Sequence, residues 1–305
     1  MFLGINISLK ESLFMRHLVI SLLLLGLNST LVMAQTPKGY SGAKTYKYKT
    51  VGETELYLFV FVPQGHQPTD SQPAAVFFFG GGWNGGSPNQ FVPHCRYLAS
   101  RGMVAVTADY RVKSRQGTSP RECVKDGKSA IRWMRTNASK LGIDPNRIAA
   151  GGGSAGGHVA SATGIIKEME ETGEDLKISS KPNALLLFNP VYDNGPKGYG
   201  YERVKDYYQE ISPIHNIQKG APPTIVFLGT KDSLIPVSTA EKFKQLMKQA
   251  NALCINHFYD GEPHGFFNYN KKENFVDTVT KMDRFLQQLG WLQGKTNLNY
   301  EAVKP

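Results

Sequence analysis

The stretch RIAAGGGSAGGHVA, Arg147–Ala160, decides how the chain is interpreted, because five of the seven residues 151–157 are glycine. Two known patterns overlap there. Residues 152–156 fit G-x-S-x-G around Ser154, in which a sharp strand-to-helix turn exposes a serine hydroxyl. Residues 151–156 also fit G-x-G-x-x-G, in which a similar turn cradles a pyrophosphate. The surrounding sequence has to separate an exposed serine from a phosphate-binding turn.

The phosphate-binding interpretation requires more than the glycines. That turn is normally the first strand-to-helix turn, and an acidic residue follows about 20 positions later at the end of the next strand. Here four predicted strands precede the turn, and the residues about 20 positions on, EETGEDLK at 170–177, form a polar loop. We therefore favour the exposed serine and expect no nucleotide cofactor.

The fold prediction depends on short, continuous apolar runs that alternate with segments of helical periodicity. Such runs are typical of strands buried on both faces of a parallel sheet. A predicted hairpin over residues 44–62 comes first. This order predicts an α/β protein with a mostly parallel central sheet and helices on both faces. The predicted strands after the hairpin are Ala74–Phe79, Met103–Asp109, Arg147–Ala150, Ala184–Asn189 and Thr224–Gly229.

A serine hydroxyl is a weak nucleophile until a neighbouring base, itself oriented by a carboxylate, takes its proton. On a sheet of this kind the expected chain order is serine, acid, histidine. Asp232 lies in the loop after the strand TIVFLG, and His264 lies in a loop after one further predicted strand, the last, which contains His257. We predict Ser154, Asp232 and His264 as catalytic residues. Asp193, after the preceding strand, is the alternative acid, and His158 is expected to be structural.

An acyl-transfer site also needs N–H donors for the oxygen that becomes negatively charged. The loop FGGGWNGGSP, residues 79–88, follows a predicted strand and carries consecutive glycines. We predict that the N–H groups of Gly81, Gly82 and Ala155 form this oxyanion hole. The same chemistry needs no metal, and none of the three cysteines has a C-x-x-C spacing.

Several segments together resemble a known family. FGGGWNGGSP, TADYR (107–111), the run from Asp126 to Ala160, GTKDSLIP (229–236) and HGF (264–266) occur in the order of the hormone-sensitive-lipase-like α/β-hydrolases. Within that group the chain is similar to the exported bacterial esterases called acetyl-xylan-esterase-like. The resemblance covers about residues 45–290 and implies an α/β-hydrolase fold and hydrolysis of short acyl, chiefly acetyl, esters.

Two departures from the family pattern bear on the site. The family usually has His-Gly-Gly-Gly where this chain has Phe79 before its glycines. We expect packing rather than a hydrogen bond to hold that loop. A helical cap before the first strand is also missing, which predicts an open site. Trp83, Tyr199 and Tyr201 are predicted substrate contacts, although the aromatic segment 193–210 is equally compatible with packing on the helices.

The amino-terminal residues predict export. Arg16 and His17 precede an apolar run, Leu18–Leu27, and a small-residue cleavage pattern ends at Ala34. Residues 1–34 are therefore predicted as a signal peptide and residues 35–305 as a single α/β-hydrolase domain. The run is short for a membrane span, although an uncleaved anchor is the alternative. The expected location is secreted or periplasmic, without membrane attachment after cleavage.

The chain is basic, with a formal charge of +10, but its lysines and arginines are scattered and no nucleic-acid signature is present. We expect an ester substrate, with acetylated polysaccharide or oligosaccharide as the candidate. The leading hypothesis is an exported serine carboxylester hydrolase. A serine peptidase on the same fold and a non-catalytic binding protein are the alternatives. Whether Cys95 pairs with Cys123 stays open.

Overall fold

The structure is a computed structural model that describes Met1 and residues 39–305. Apart from Met1, the predicted signal peptide lies outside the described residues. Within the part that is described, no helix is both long enough and apolar enough to cross a bilayer.

A sheet of eight strands organises the described chain, in the order β1-β2-β4-β3-β5-β6-β7-β8. Strands β1, β2 and β4 pair antiparallel, and all the other neighbours pair parallel. The predicted opening hairpin and the parallel sheet are both confirmed. The strands are β1 Ala43–Val51, β2 Thr54–Phe61, β3 Gln72–Phe78, β4 Val104–Ala108, β5 Ile143–Gly153, β6 Ala184–Phe188, β7 Thr224–Gly229 and β8 Cys254–Tyr259.

Nine α-helices connect the strands of the described residues. Their bounds are α1 Val92–Ser100, α2 Lys113–Gln116, α3 Pro120–Thr136, α4 Ala138–Leu141, α5 Ala155–Ile165, α6 Tyr201–Val204, α7 Tyr208–Ile211, α8 Val237–Gln249 and α9 Lys272–Gln288. Buried side chains of α1 and α9 pack on one face of the sheet, and those of α3, α5 and α8 on the other. The predicted α/β fold with helices on both faces is confirmed.

Neighbouring residues of each central strand supply opposite cores, because side chains alternate along a strand. Phe77 packs with the α1 and α9 side, whereas Phe78 packs with the α3, α5 and α8 side. Both rings are fully buried. Burial of one such side chain stabilises the fold by about 1.5–3 kcal/mol. The unbroken apolar run of β3 is thus the consequence of a sheet covered on both faces.

The cysteines Cys95 and Cys123 do not form a disulfide, which resolves the pairing left open above. Cys95 packs with the core on the α1 side of the sheet, and Cys123 with the core on the opposite side. The sheet therefore separates the two sulfur atoms. Cys123 donates its thiol to the carbonyl oxygen of Arg111 at 3.2 Å.

His94 on α1 is fully buried inside a group of aromatic rings, and neither ring nitrogen has a hydrogen-bond partner within the described chain. Burial lowers its pKa to about 3 because a charged imidazolium loses its hydration there. The surrounding rings, with centroids between 4.8 and 6.2 Å away, are Phe77, Phe91, Phe188, Phe267 and Phe275.

The folded protein keeps His94 neutral, whereas the unfolded chain protonates this residue near pH 6.5. The unfolded state thus binds the extra proton, and the free energy of unfolding should fall as the pH drops below about 6.5. From pH 7 to 4.5 the loss is on the order of 2 kcal/mol. The substitution His94→Leu should remove this contribution and so reduce the fall in the free energy of unfolding, measured by urea unfolding at both pH values. The exposed control His215→Leu should keep the wild-type slope; an equally steep fall in His94→Leu would contradict the assignment.

Candidate active site

Ser154 stands at the sharp turn between β5 and α5, with φ +55° and ψ −121°. This backbone conformation is strained for a residue with a side chain, at a cost of about 1–3 kcal/mol. The strand that leads to it, β5, begins at Ile143 and is longer than the four residues predicted from the sequence. The turn separates the side chain of Ser154 from the flanking strand and directs it into a cleft.

Glycines allow the turn because neighbouring backbone occupies the space that a side chain would need. A Cβ on Gly152 would lie 2.4 Å from the carbonyl group of Gly156. A Cβ on Gly156 would lie 2.0 Å from the carbonyl oxygen of Phe78, at the end of β3. Both distances are far below any real contact of a Cβ atom. The glycines therefore let α5 begin directly against the sheet, and no bound phosphate is needed to explain them.

The hydroxyl of Ser154 and the imidazole of His264 lie within hydrogen-bonding distance, with 2.9 Å between Oγ and Nε2. The other ring nitrogen, Nδ1, lies 2.7 Å from Oδ2 of Asp232. The three residues come from the turn after β5, the loop after β7 and the loop after β8. The carboxyl ends of parallel strands meet at one edge of the sheet, which brings these loops together.

The carboxylate of Asp232 is completely buried and held by the backbone. Its second oxygen, Oδ1, accepts from the N–H groups of Leu234 and Ile235 at 2.8 and 3.0 Å. The alternative acid, Asp193, uses its Oδ1 to accept from the N–H of Gly195 at 2.8 Å and so closes its own turn. Asp232 is therefore the acid that orients the ring of His264.

Asn189 is a site residue that sequence reasoning missed. It follows β6 with φ +34° and is fully buried. Its Oδ1 accepts from the N–H of Gly265 at 2.9 Å, and its Nδ2 lies 3.4 Å from Nε2 of His264. The amide thereby fixes the loop that carries the histidine. The one available signal was a polar residue at the end of an otherwise apolar strand.

Two further amides join the glycine loop to the histidine loop. Oε1 of Gln90 accepts from the N–H of Gly80 at 2.7 Å, and Nε2 of Gln90 donates to Oδ1 of Asn268 at 2.9 Å. Nδ2 of Asn268 in turn donates to the carbonyl oxygen of Gly265 at 2.8 Å. Nothing in the local sequence distinguishes Gln90 or Asn268 from ordinary surface amides, because the bond between them joins residues 178 positions apart.

The predicted oxyanion residues surround the same cleft. Gly81 and Gly82 line it beside Ser154, with φ +129° and +64°, and Ala155 is the first residue of α5. The N–H groups of Gly81 and Gly82 have no hydrogen-bond partner among residues 39–305. A Cβ on Gly81 would lie 2.3 Å from the carbonyl oxygen of Gly85, so the loop turns back on itself too tightly for any other residue.

Phe79, which stands where the family usually has histidine, holds the glycine loop by stacking. Its ring lies 4.2 Å from that of Tyr110, nearly parallel to it. Packing thus replaces the missing imidazole, as expected. The hydroxyl of Tyr110 also donates to the carbonyl oxygen of Phe79 at 2.6 Å, so a hydrogen bond contributes as well.

The cleft above Ser154 is open and holds about 410 Å³. Tyr199 lies in the wall of the cleft, and its contact with substrate stays a prediction. The residues that line the cleft are Gly80, Gly81, Gly82, Asn84, Gln90, Ser154, Asn189, Tyr199, Arg203, Leu234, His264, Gly265, Phe267 and Asn268.

Two of the predicted substrate contacts need correction. Trp83 is only 2% exposed and packs beneath the cleft, because its indole N–H donates to Nδ1 of His158 at 3.2 Å. Tyr201 does not line the cleft and packs against Tyr208, with 5.7 Å between ring centroids. Trp83 therefore supports the wall, and Tyr199 is the aromatic residue of the three that reaches the cleft.

His158 has a structural environment, as its position on α5 predicted. Nδ1 accepts from Trp83, and Nε2 donates to the carbonyl oxygen of Ile211 at 2.8 Å. Burial lowers the pKa of His158 to about 4. Its ring is therefore neutral and links α5 to the glycine loop and to the segment after β6. Over residues 39–305, no cluster of three or more His, Cys, Asp or Glu side chains has the arrangement of a metal site.

Comparison with known proteins places this geometry in a family. The sequence model of the BD-FAE family matches residues 58–193, and the sequence model of the dienelactone hydrolase family matches residues 195–295. Thermogutta terrifontis esterase 2, solved after phosphoramylation by tabun, is 44% identical with a TM-score of 0.82, over 86% of this chain and 100% of that chain. The chain belongs to the α/β-hydrolase esterases of the hormone-sensitive-lipase-like group. The resemblance inferred from the motifs is confirmed.

A second structure of the same Thermogutta esterase and a curated relative agree with this placement. The Thermogutta terrifontis esterase solved with butyrate bound is 43% identical, with a TM-score of 0.80 over 84% of this chain and 97% of that chain. Esterase LipC from Mycobacterium tuberculosis is 29% identical over 220 residues, which are 65% of this chain and 54% of LipC. The chain spans about half the length of the curated relatives it matches.

Gln90 and Asn268 connect the glycine loop to the loop that carries His264, and removal of their hydrogen bonds should slow ester cleavage. In Gln90→Leu, the N–H of Gly80 and the side chain of Asn268 both lose a partner, and each lost hydrogen bond costs about 1–3 kcal/mol. We expect kcat for phenyl acetate to fall about tenfold or more, with a smaller change in KM, because the loops lose their alignment. The neighbouring exposed residue provides the control Asn89→Leu, which should keep the wild-type kcat. Equal kcat values for the two variants would count against a positioning role.

Proposed function

We propose that the protein is a carboxylester hydrolase with Ser154 as nucleophile, His264 as general base and Asp232 as the residue that orients it. The observation that carries the proposal is the hydrogen-bonded series from Oγ through the imidazole to a buried carboxylate, at 2.9 and 2.7 Å. A strained turn holds Ser154, the first residue of this hydrogen-bonded series. Such an arrangement serves acyl transfer through a covalent intermediate.

In the proposed catalytic cycle, the imidazole of His264 accepts and then returns each proton that is transferred. Nε2 of His264 takes the proton of Ser154 while Oγ attacks the ester carbonyl carbon. The N–H groups of Gly81, Gly82 and Ala155 donate to the resulting oxyanion, and one such donor is worth about 3–4 kcal/mol. The imidazolium then gives the proton to the leaving alkoxide. Water attacks the acyl-enzyme by the same route and releases the acid and free serine.

We propose short acyl groups, acetyl in particular, as the ones cleaved. The open cleft of about 410 Å³ favours a small acyl group joined to a bulky alcohol that projects into solvent. The related esterase solved with butyrate bound is consistent with a site of this size. Acetylated polysaccharides or their fragments are the proposed natural substrates, since they offer such an alcohol.

We also propose that the enzyme acts outside the cytoplasm, in the periplasm or after secretion. The support is the sequence pattern of residues 1–34, a basic start followed by the apolar run Leu18–Leu27 and a small-residue cleavage pattern. Polymeric glycans are met on that side of the membrane, so location and substrate agree. Acetate release from acetylated xylan, mannan and pectin by the purified protein tests the substrate class.

The variant Ser154→Ala tests the chemistry directly. Loss of the nucleophile should reduce kcat for phenyl acetate by at least about 1,000-fold. It should also abolish covalent labelling by a fluorophosphonate, which reacts with an activated serine. The control is Ser161→Ala on the same helix, where the hydroxyl donates to the carbonyl oxygen of Gly157 at 2.8 Å.

Each outcome of this experiment separates the candidate functions. Retained turnover in Ser154→Ala would refute the assignment of the nucleophile. A wild-type protein that neither labels nor turns over phenyl acetate would favour a binding protein. Faster cleavage of an aminoacyl anilide than of the acetyl ester would favour a peptidase.

A further inference from the structure

Arg203, on the short helix α6, stands at the rim of the cleft and belongs to none of the groups assigned so far. Its guanidinium lies over the rings of Trp83 and Tyr199, at 5.1 and 5.2 Å from their centroids. Nη1 donates to the carbonyl oxygen of Gly82 at 2.9 Å, so the side chain reaches the glycine loop. A Cβ on Gly200 would lie 2.9 Å from Nη2, which places the guanidinium against the backbone there.

The charge balance of the cleft is one-sided. Among the lining residues that the structure describes, Arg203 is the one with a permanent charge, and no carboxylate lines the cleft. Two nearby cations have acidic partners: Lys205 lies 3.9 Å from Glu202, and Arg121 lies 2.6 Å from Glu210. Arg203 has no such partner within residues 39–305. An arginine without a carboxylate partner beside the nucleophile is available for an anion on the substrate.

The guanidinium is also held in place before any substrate arrives. Stacking on two rings and a hydrogen bond to a backbone carbonyl restrict its rotamers, so little further entropy is lost when it binds. Arginine carries five N–H groups, and the bond to Gly82 uses one nitrogen. The remaining donors suit the planar, two-oxygen geometry of a carboxylate.

We propose that Arg203 determines specificity by binding a carboxylate on the ester substrate. This inference rests on the proposed esterase function and narrows it to short-acyl esters of acidic molecules. The carboxylate belongs either to the alcohol part, as in an acetylated uronic-acid glycan, or to the acyl part, as in a dicarboxylic half-ester. The formal charge of +10 favours the approach of such anionic substrates.

Matched pairs of esters with and without a carboxylate test the inference. The alcohol-side pair is 4-acetoxybenzoate and 4-methylphenyl acetate, which share the acetyl group. The acyl-side pair is monoethyl glutarate and ethyl pentanoate, which share the ethyl group. For each pair the measured quantity is the ratio of kcat/KM for the anionic ester to that for the neutral one, in wild type and in variants.

In Arg203→Gln the ratio should fall about tenfold for the pair whose carboxylate meets the guanidinium, as expected for a lost charge-assisted hydrogen bond at an exposed residue. Arg203→Lys keeps the positive charge but loses the planar pair of N–H donors, so it should give an intermediate ratio. The control Lys205→Gln removes one positive charge from the same segment and should leave the ratio unchanged. Addition of 0.5 M salt should lower the wild-type ratio more than the ratio of Arg203→Gln, which retains only the attraction of the overall positive charge.

The pair that loses its preference identifies the side of the ester that carries the carboxylate. An unchanged ratio for both pairs in Arg203→Gln would overturn the inference and leave Arg203 as a support of the glycine loop. An equal fall in Lys205→Gln would also overturn it, because the effect would then come from net charge. Absence of any ester hydrolysis by the wild-type protein would refute the esterase function itself, and this inference with it.

Discussion

The close approach of α5 to the end of β3 is the constraint on which the site depends. The carbonyl oxygen of Phe78 occupies the space that a side chain at residue 156 would need. Only with that space free can the chain leave β5, turn through a left-handed conformation at Ser154 and enter a helix at once. The strain at Ser154 is maintained because the central sheet and its two cores hold both ends of the turn. The energetic cost of the strained backbone at Ser154 is therefore offset by the burial of apolar side chains in the two cores.

Around this turn, hydrogen bonds to backbone groups do most of the positioning. Two backbone N–H groups hold the carboxylate of Asp232, and the amide of Asn189 holds the loop of His264. Gln90 and Asn268 connect that loop to the glycine loop. Each amide offers both a donor and an acceptor, so it can bridge two backbone segments that have no regular secondary structure. The glycine loop and the histidine loop are thereby connected to each other as well as to the sheet.

The sequence predicted the fold class, the hairpin and the parallel strands because burial on both faces leaves a strong local pattern. It also predicted which side chains would meet, since Ser154, Asp232 and His264 each follow a strand at the same edge. Long-range partners left no such pattern. Gln90 and Asn268 are separated by 178 residues, and the burial of Trp83 depends on His158, 75 residues away. A tryptophan beside a glycine loop was therefore mistaken for a surface contact.

The bond between Trp83 and His158 connects two parts of the site that lie 75 residues apart along the chain. It joins the glycine loop to the helix of the nucleophile, and the second nitrogen of His158 joins both to Ile211. The indole of Trp83, which lies under the guanidinium of Arg203, is thus connected to the helix that begins after the strained turn at Ser154. Because His158 contacts residue 211 through its backbone carbonyl, a segment 189–212 grafted from a relative should keep this link with any side chain at position 211, provided that Trp83 and His158 are retained. The rim of the cleft is thus anchored to the helix that follows the nucleophile by one indole, one imidazole and one backbone carbonyl.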